Sequence, residues 1–120
     1  MPGPTGPTGA TGPQGPAGAV GPRTINNYSG TAVTAVIGDA LAYVRLTGTN
    51  PTYTIPPNSS VAFVVGTQID GVGTASACTL IAGAGVTLNR PRTLVTVAAD
   101  SGWTLIQVAA NEWDVHGDFV

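Results

Sequence analysis

The 120-residue chain has a net charge of −2, only 8% of its residues are charged, and none is lysine. Four scattered arginines cannot build the basic stripe that neutralises phosphates, which excludes nucleic acid as a partner. No apolar run approaches the roughly 18 residues of a membrane-spanning helix, so membrane insertion is not expected.

The first 23 residues are set apart by period. After Met1 and Pro2, glycine stands at every third position: Gly3, Gly6, Gly9, Gly12, Gly15, Gly18 and Gly21. A collagen triple helix demands this spacing because only hydrogen fits where three polyproline-II chains meet at the axis. Proline follows glycine in five of the seven triplets (Pro4, Pro7, Pro13, Pro16, Pro22), and seven in-frame glycines argue against a merely disordered Pro/Gly linker. The third positions read Thr, Thr, Thr, Gln, Ala, Val, Arg, so hydroxyproline cannot stabilise the stem, which points to a bacterial or viral origin. Wound up, the stem is about 60 Å long at ~3 Å per residue. Segments this short do not hold three chains together alone, since association costs several kcal/mol of lost freedom. A neighbouring trimeric domain must raise their effective concentration, so a homotrimer is expected. The N-terminus shows no basic and apolar regions of a signal peptide, and none is expected.

Residues 24–30 (TINNYSG) read as a polar linker. From Thr31 onward, short β-branched runs alternate with turn residues, and strands are expected at 31–37, 40–47, 52–55, 60–66, 77–81, 85–89, 92–98, 103–109 and 112–116. The breakers include Gly38-Asp39, Gly48 to Pro51, Pro56-Pro57-Asn58, Asp70 to Gly73 and Asp100 to Gly102. Residues 33–44 also fit helical spacing, but Gly38 and the Thr/Val content favour strand. Segment 60–66 (SVAFVVG) is apolar on both faces, as in a central strand or one covered by another subunit. The pattern predicts an all-β fold: a small antiparallel β-sandwich or barrel-like domain over 31–120 behind the stem. A composition of 42% hydrophobic residues with so little charge also suits an obligate oligomer.

Little in the chain carries chemistry. Cys78, the one cysteine, lies in the apolar context ASACTLIAG and reads as a buried small hydrophobe. One histidine, His116, and one cysteine support neither a zinc site nor a Cys-His pair. Glu112, Asp114 and Asp118 beside His116 form the only acidic cluster; it is a solvated face or, in a trimer, a cation site on the axis. GVGT and AGAGVT lack the lysine and helix of a phosphate loop. Tyr53, Trp103 and Trp113 could stack on sugars, but their apolar flanks favour packing. Val61, Phe63, Val65, Trp103, Leu105, Ile106 and Trp113 are the expected core or trimer-interface residues. No enzyme activity, metal or cofactor is expected.

The stretches TYTIPPNSSVAFVVGTQID (52–70), AGAGVTLN (82–89) and GWTLIQVAANEWDVHGDF (102–119) resemble the C-terminal β-domain of bacteriophage fibre and virion appendage proteins, often found behind collagen-like repeats. The resemblance spans 31–120 and rests on Pro56, Val65-Gly66-Thr67-Gln68, Gly85-Val86-Thr87, Leu105-Ile106, Val108, and Trp113 leading to Gly117-Asp118. Gln107 stands where that pattern often has a basic residue. The resemblance implies a non-enzymatic, homotrimeric structural protein on the virion surface, assembled in the bacterial host cytoplasm. Because the repeat begins at residue 3, with no plug domain before it, a short head fibre or capsid decoration protein is the expectation. A receptor-binding tail-fibre subunit is the alternative. Implied partners are further copies of the chain, major capsid or tail proteins, and a host surface glycan or receptor.

Overall fold

The computed structural model describes residues 22–90 and 94–120. The stem glycines Gly3 to Gly21 lie outside the described residues, as does the start of the strand expected at 92–98. Ten strands form: β1 (Ile25–Tyr28), β2 (Ala32–Thr34), β3 (Tyr43–Leu46), β4 (Thr52–Ile55), β5 (Gln68–Gly73), β6 (Cys78–Ala82), β7 (Thr87–Asn89), β8 (Thr96–Val97), β9 (Gly102–Ala109) and β10 (Glu112–Gly117). Among the described residues a 3-10 turn, Ile37–Asp39, lies between β2 and β3.

The chain alternates between two sheets. Strands β1, β3 and β5 lie side by side in a six-stranded sheet of order β1-β3-β5-β9-β10-β7. Strands β2, β4 and β6 stack the same way in a four-stranded sheet of order β2-β4-β6-β8. Successive passes are parallel and in register: Ile25 beside Tyr43 and Tyr43 beside Asp70 in one sheet, Val33 beside Tyr53 and Tyr53 beside Leu80 in the other. The result is a flattened coil of three turns in which each turn contacts chiefly its neighbours, as in solenoid proteins. The antiparallel strands β9 on β5 and β8 on β6 close its far side, and β7 returns parallel to β10.

Alternation along each strand sends every second side chain between the sheets. Val33, Tyr53 and Leu80 form one inward ladder, Ile69, Leu105 and Val115 another, and Trp113 lies fully buried among them. Each such large apolar side chain contributes about 1.5–3 kcal/mol by leaving water. Trp103 needs more room than its ladder offers. Its register neighbours are Gly71 on one side and Gly117 on the other. A Cβ at Gly71 would sit 2.5 Å from the Trp103 Cη2 and 2.7 Å from the Val44 carbonyl oxygen. The indole therefore occupies the space of a missing side chain and meets the Tyr53 ring of the opposite sheet at 5.2 Å.

The all-β expectation holds, with corrections. The domain is not antiparallel: five of its eight strand pairs are parallel. Linker 24–30 contains β1, because Asn26 and Tyr28 have partners waiting inside the fold. The breaker at Asp70 to Gly73 lies in β5, where Gly71 and Gly73 make space for Trp103 and Cys78 rather than a turn. Segment 60–66 is not a strand: Phe63 is buried, but Val64 and Val65 point outward, so the run neither pairs nor lies at the centre. In the segment expected at 31–37 the strand stops at Thr34, and the next strand begins at Tyr43 rather than at residue 40.

Candidate functional site at the Arg23 clamp

The chain enters the coil at Arg23, the last residue of the triplet run. Its guanidinium donates through Nε to the Leu41 carbonyl at 3.0 Å and through Nη2 to the Ala42 carbonyl at 2.7 Å. Its Nη1 pairs with the Asp70 carboxylate, the one ion pair among the described residues. Thr104 Oγ1 donates to Asp70 at 2.6 Å, and Gln68 adds its amide. Burial pushes the Asp70 carboxyl up, but the hydrogen bonds from Thr104, Arg23 and Gln68 and the Arg23 charge outweigh it, so it is held below its ordinary value. A planar fork bonded to two carbonyls and one carboxylate fixes direction as well as position. Arg23 thus clamps the segment leading into β3 to β5.

Beneath the clamp lies a buried polar cluster. Asp39 ends the 3-10 turn and is fully buried, its side chain directed inward. Tyr53 donates to Oδ2 at 2.6 Å; Tyr28 and Asn26 donate to Oδ1 at 2.7 and 2.8 Å; the Val36 N–H reaches Oδ2 at 3.3 Å. Asn26 also donates to the Gly38 carbonyl at 3.1 Å. One carboxyl group thereby ties β1 of the first turn to β4 of the second. Burial, then the hydrogen bond to Asp39 and its charge, pushes the Tyr28 hydroxyl up to about 12. Tyr53 moves in the same direction for the same reasons, reinforced by Tyr28. Sealed from solvent and saturated with donors, Asp39 organises the fold and is out of reach of a substrate.

A third anchor is Gln107, fully buried on β9. Two carbonyls face its amide and set its orientation, so that nitrogen donates to Phe63 at 2.9 Å and Val64 at 2.8 Å. The Asn58 N–H donates to the Asn111 side chain at 2.7 Å, and the Gly66 N–H donates to the Gln107 carbonyl at 2.7 Å. Segment 56–67 is therefore fastened along its length. A basic side chain in place of Gln107 would lack this acceptor-donor match.

Of the residues expected in the core or interface, Phe63, Trp103, Leu105 and Trp113 are buried, and Phe63 meets Trp113 edge-on at 5.3 Å. Val61 packs half-buried against the core, Ile106 lies partly exposed on the outer face, and Val65 projects into solvent. Tyr53, Trp103 and Trp113 present no ring face for a sugar, since all three are buried. Glu112 and Asp114 share the Asn89 amide at 3.0 and 2.9 Å, while Asp118 turns to Ser101 at 3.3 Å. Among the described residues no three His, Cys, Asp or Glu side chains converge as metal ligands. Cys78 is fully buried, and burial raises its thiol pKa. Sequence reasoning missed Arg23, Asp39 and Asp70; a lone Asp after Gly in an apolar run was the available hint for Asp39.

The fold is a short β-coil to which Arg23, near its first described residues, is clamped. No protein-family model matches the chain, and neither curated proteins nor solved structures show a significant match to it.

Proposed function

We propose that this chain is a non-enzymatic structural protein of a bacteriophage virion, a short homotrimeric head fibre or capsid decoration protein. In this reading residues 1–23 wind as a collagen-like stem, and the β-domain holds the three chains together. The observation that carries it is the run of seven in-frame glycine triplets leading into a domain through the Arg23 clamp. A stem that must bear load and orientation calls for a directional joint, which a guanidinium bonded to two carbonyls and a carboxylate supplies. Placement on a virion draws its support from the resemblance of 52–70, 82–89 and 102–119 to phage fibre β-domains. The proposed partners are two further copies of the chain and a major capsid or tail protein.

Gold-labelled antibody against the β-domain, applied to intact phage particles, tests this reading. Label distributed over the head is the expected result. Label confined to the tail tip would replace the reading with an adsorption fibre, whose purified protein should compete with phage for host cells. Particles without label would overturn the virion assignment.

A further inference from the structure

We propose that one edge of the β-coil, carrying Val36, Ile37, Leu41, Val64 and Val65, is the surface through which three copies of this chain pack around the stem axis. The inference rests on the trimeric reading above and assigns its interface.

The first argument is segregation. The first two connections from the four-stranded to the six-stranded sheet, residues 35–42 and 56–67, stack on one edge because the strands they join are in parallel register. The Leu41 N–H donates to the Gln68 carbonyl at 2.8 Å and binds the two connections together. These five side chains are exposed, from Val36 at 48% to Val64 at 72%. The connections on the opposite edge, 29–31, 47–51 and 74–77, consist of Ser, Gly, Thr, Asn, Pro and Ala. Half of the exposed large apolar side chains among the described residues thus gather on one edge of a low-charge domain, and such a concentration marks an interface.

The second argument is backbone. Leu41 has φ 62°, a left-handed conformation that branched apolar residues rarely take. Asn50, Asp100 and Asn111 adopt it with the residue types that tolerate it best, and Ala75 with a single methyl, which leaves Leu41 as the one large apolar side chain so placed among the described residues. An isolated domain gains nothing from an exposed leucine there; a partner that buries it does. Val64 and Val65 are equally deliberate, held outward on a loop fastened by Gln107, Asn111 and the buried Phe63. Such a fixed loop loses little freedom on docking.

The third argument names the occupant. The last triplet glycine is Gly21, and Arg23, which closes that triplet, is bonded to the carbonyls of Leu41 and Ala42 on this same edge. Two residues reach at most about 7 Å, so a rod of three such chains delivers three copies of this edge to its axis. At that spacing the edges meet at high effective concentration. The Arg23–Asp70 pair neutralises itself, so the approach brings no net like charge from the clamp.

Sedimentation of the purified full-length chain over a dilution series tests the proposal, with circular dichroism as the check on folding. The wild type should sediment as a trimer. Leu41→Asp and Val65→Asp place an unpaired charge in each of three buried contacts and should raise the concentration for half-dissociation ~100-fold or more. Aspartate suits the left-handed position 41, so the sheet signal should persist; Leu41→Asn, uncharged, should shift dissociation in the same direction if a charge disturbs the fold. Thr49→Asp, on the opposite edge, should behave as wild type. Edge variants that remain trimeric as tightly as the wild type overturn this interface and leave the trimer standing. A wild type that is monomeric or dimeric at every concentration overturns both.

Discussion

Replacing Tyr53 by phenylalanine probes the buried cluster at its tightest point. The ring keeps its contact with Trp103 at 5.2 Å, so the change isolates the hydroxyl that donates to Asp39 Oδ2 at 2.6 Å. Without it, Oδ2 retains only the Val36 N–H at 3.3 Å, in a site closed to water. Losing a short hydrogen bond to a buried carboxyl oxygen costs about 1.5–3 kcal/mol. Tyr28→Phe provides the contrast. Oδ1 keeps Asn26 at 2.8 Å, and water can reach the half-buried position, so the cost should stay under about 1 kcal/mol. Urea unfolding followed by tryptophan fluorescence, at one protein concentration because assembly shifts stability by mass action, measures both. Midpoints should fall by about 1 M for Tyr53→Phe at a slope of ~2 kcal/mol/M, and clearly less for Tyr28→Phe. In an Asp39→Asn background the Tyr53→Phe loss should shrink, as coupled partners require. A Tyr53→Phe cost within 0.5 kcal/mol of zero, or one smaller than that of Tyr28→Phe, would refute the reasoning.

Gly71→Ala should destabilise the domain by about 1–3 kcal/mol and alter the near-ultraviolet dichroism of Trp103, because the methyl occupies indole space. Gly38→Ala, with nothing within 4 Å of the new Cβ, should change stability by less than about 0.5 kcal/mol, and a reversed order in this pair would contradict the packing argument. The Asp70 carboxyl is held below its ordinary value, so its contribution is complete above pH ~4 and fades as the pH falls through the lower folded value. Asp70→Asn should flatten that acid limb of a stability-versus-pH curve, and an unchanged limb would count against the clamp. Tyr28 has a folded value of about 12, above the ordinary 10, so its contribution is full below pH ~10 and is lost as the pH rises through 12. Tyrosinate absorbance from Tyr28 and Tyr53 should therefore appear with unfolding; complete tyrosinate absorbance over a native dichroism spectrum would contradict their burial against Asp39.

How much of this was legible in the chain depends on the range of the interaction. Strands β4, β9 and β10 stand where alternation and flanking turns put them, since a local period of two reports a local choice. Parallel pairing was not legible. The turns of the coil differ in length and share no motif, so nothing in the spacing announces that Tyr43 lies beside Ile25 and Asp70. TINNYSG looks like a polar connector until Asn26 and Tyr28 find Asp39, which lies 13 and 11 residues further on. VAFVV looks like a central strand until the loop is seen fastened by a buried glutamine, with its valines turned out. Glycines 71 and 73 look like a turn, yet each stands opposite a large or sulfur-bearing neighbour that needs its space. Except for Gly73 and its near neighbour Cys78, the deciding partner is remote in sequence.

The placement of β9 between β5 and β10 has a consequence for the order of events during synthesis. β9 and β10 form the domain's local hairpin, turning at Asn111 with φ 61°, and they leave the ribosome after β1 to β8. At about 5–20 residues per second, the outer edge of β5 waits several seconds for its neighbour. A bare strand edge invites pairing with a nascent sister chain. The edge that waits reads QIDGVG, whose charge and two glycines make it a poor template for such pairing. The same glycines that later admit Trp103 and Cys78 thus keep the unfinished domain from recruiting the wrong strand.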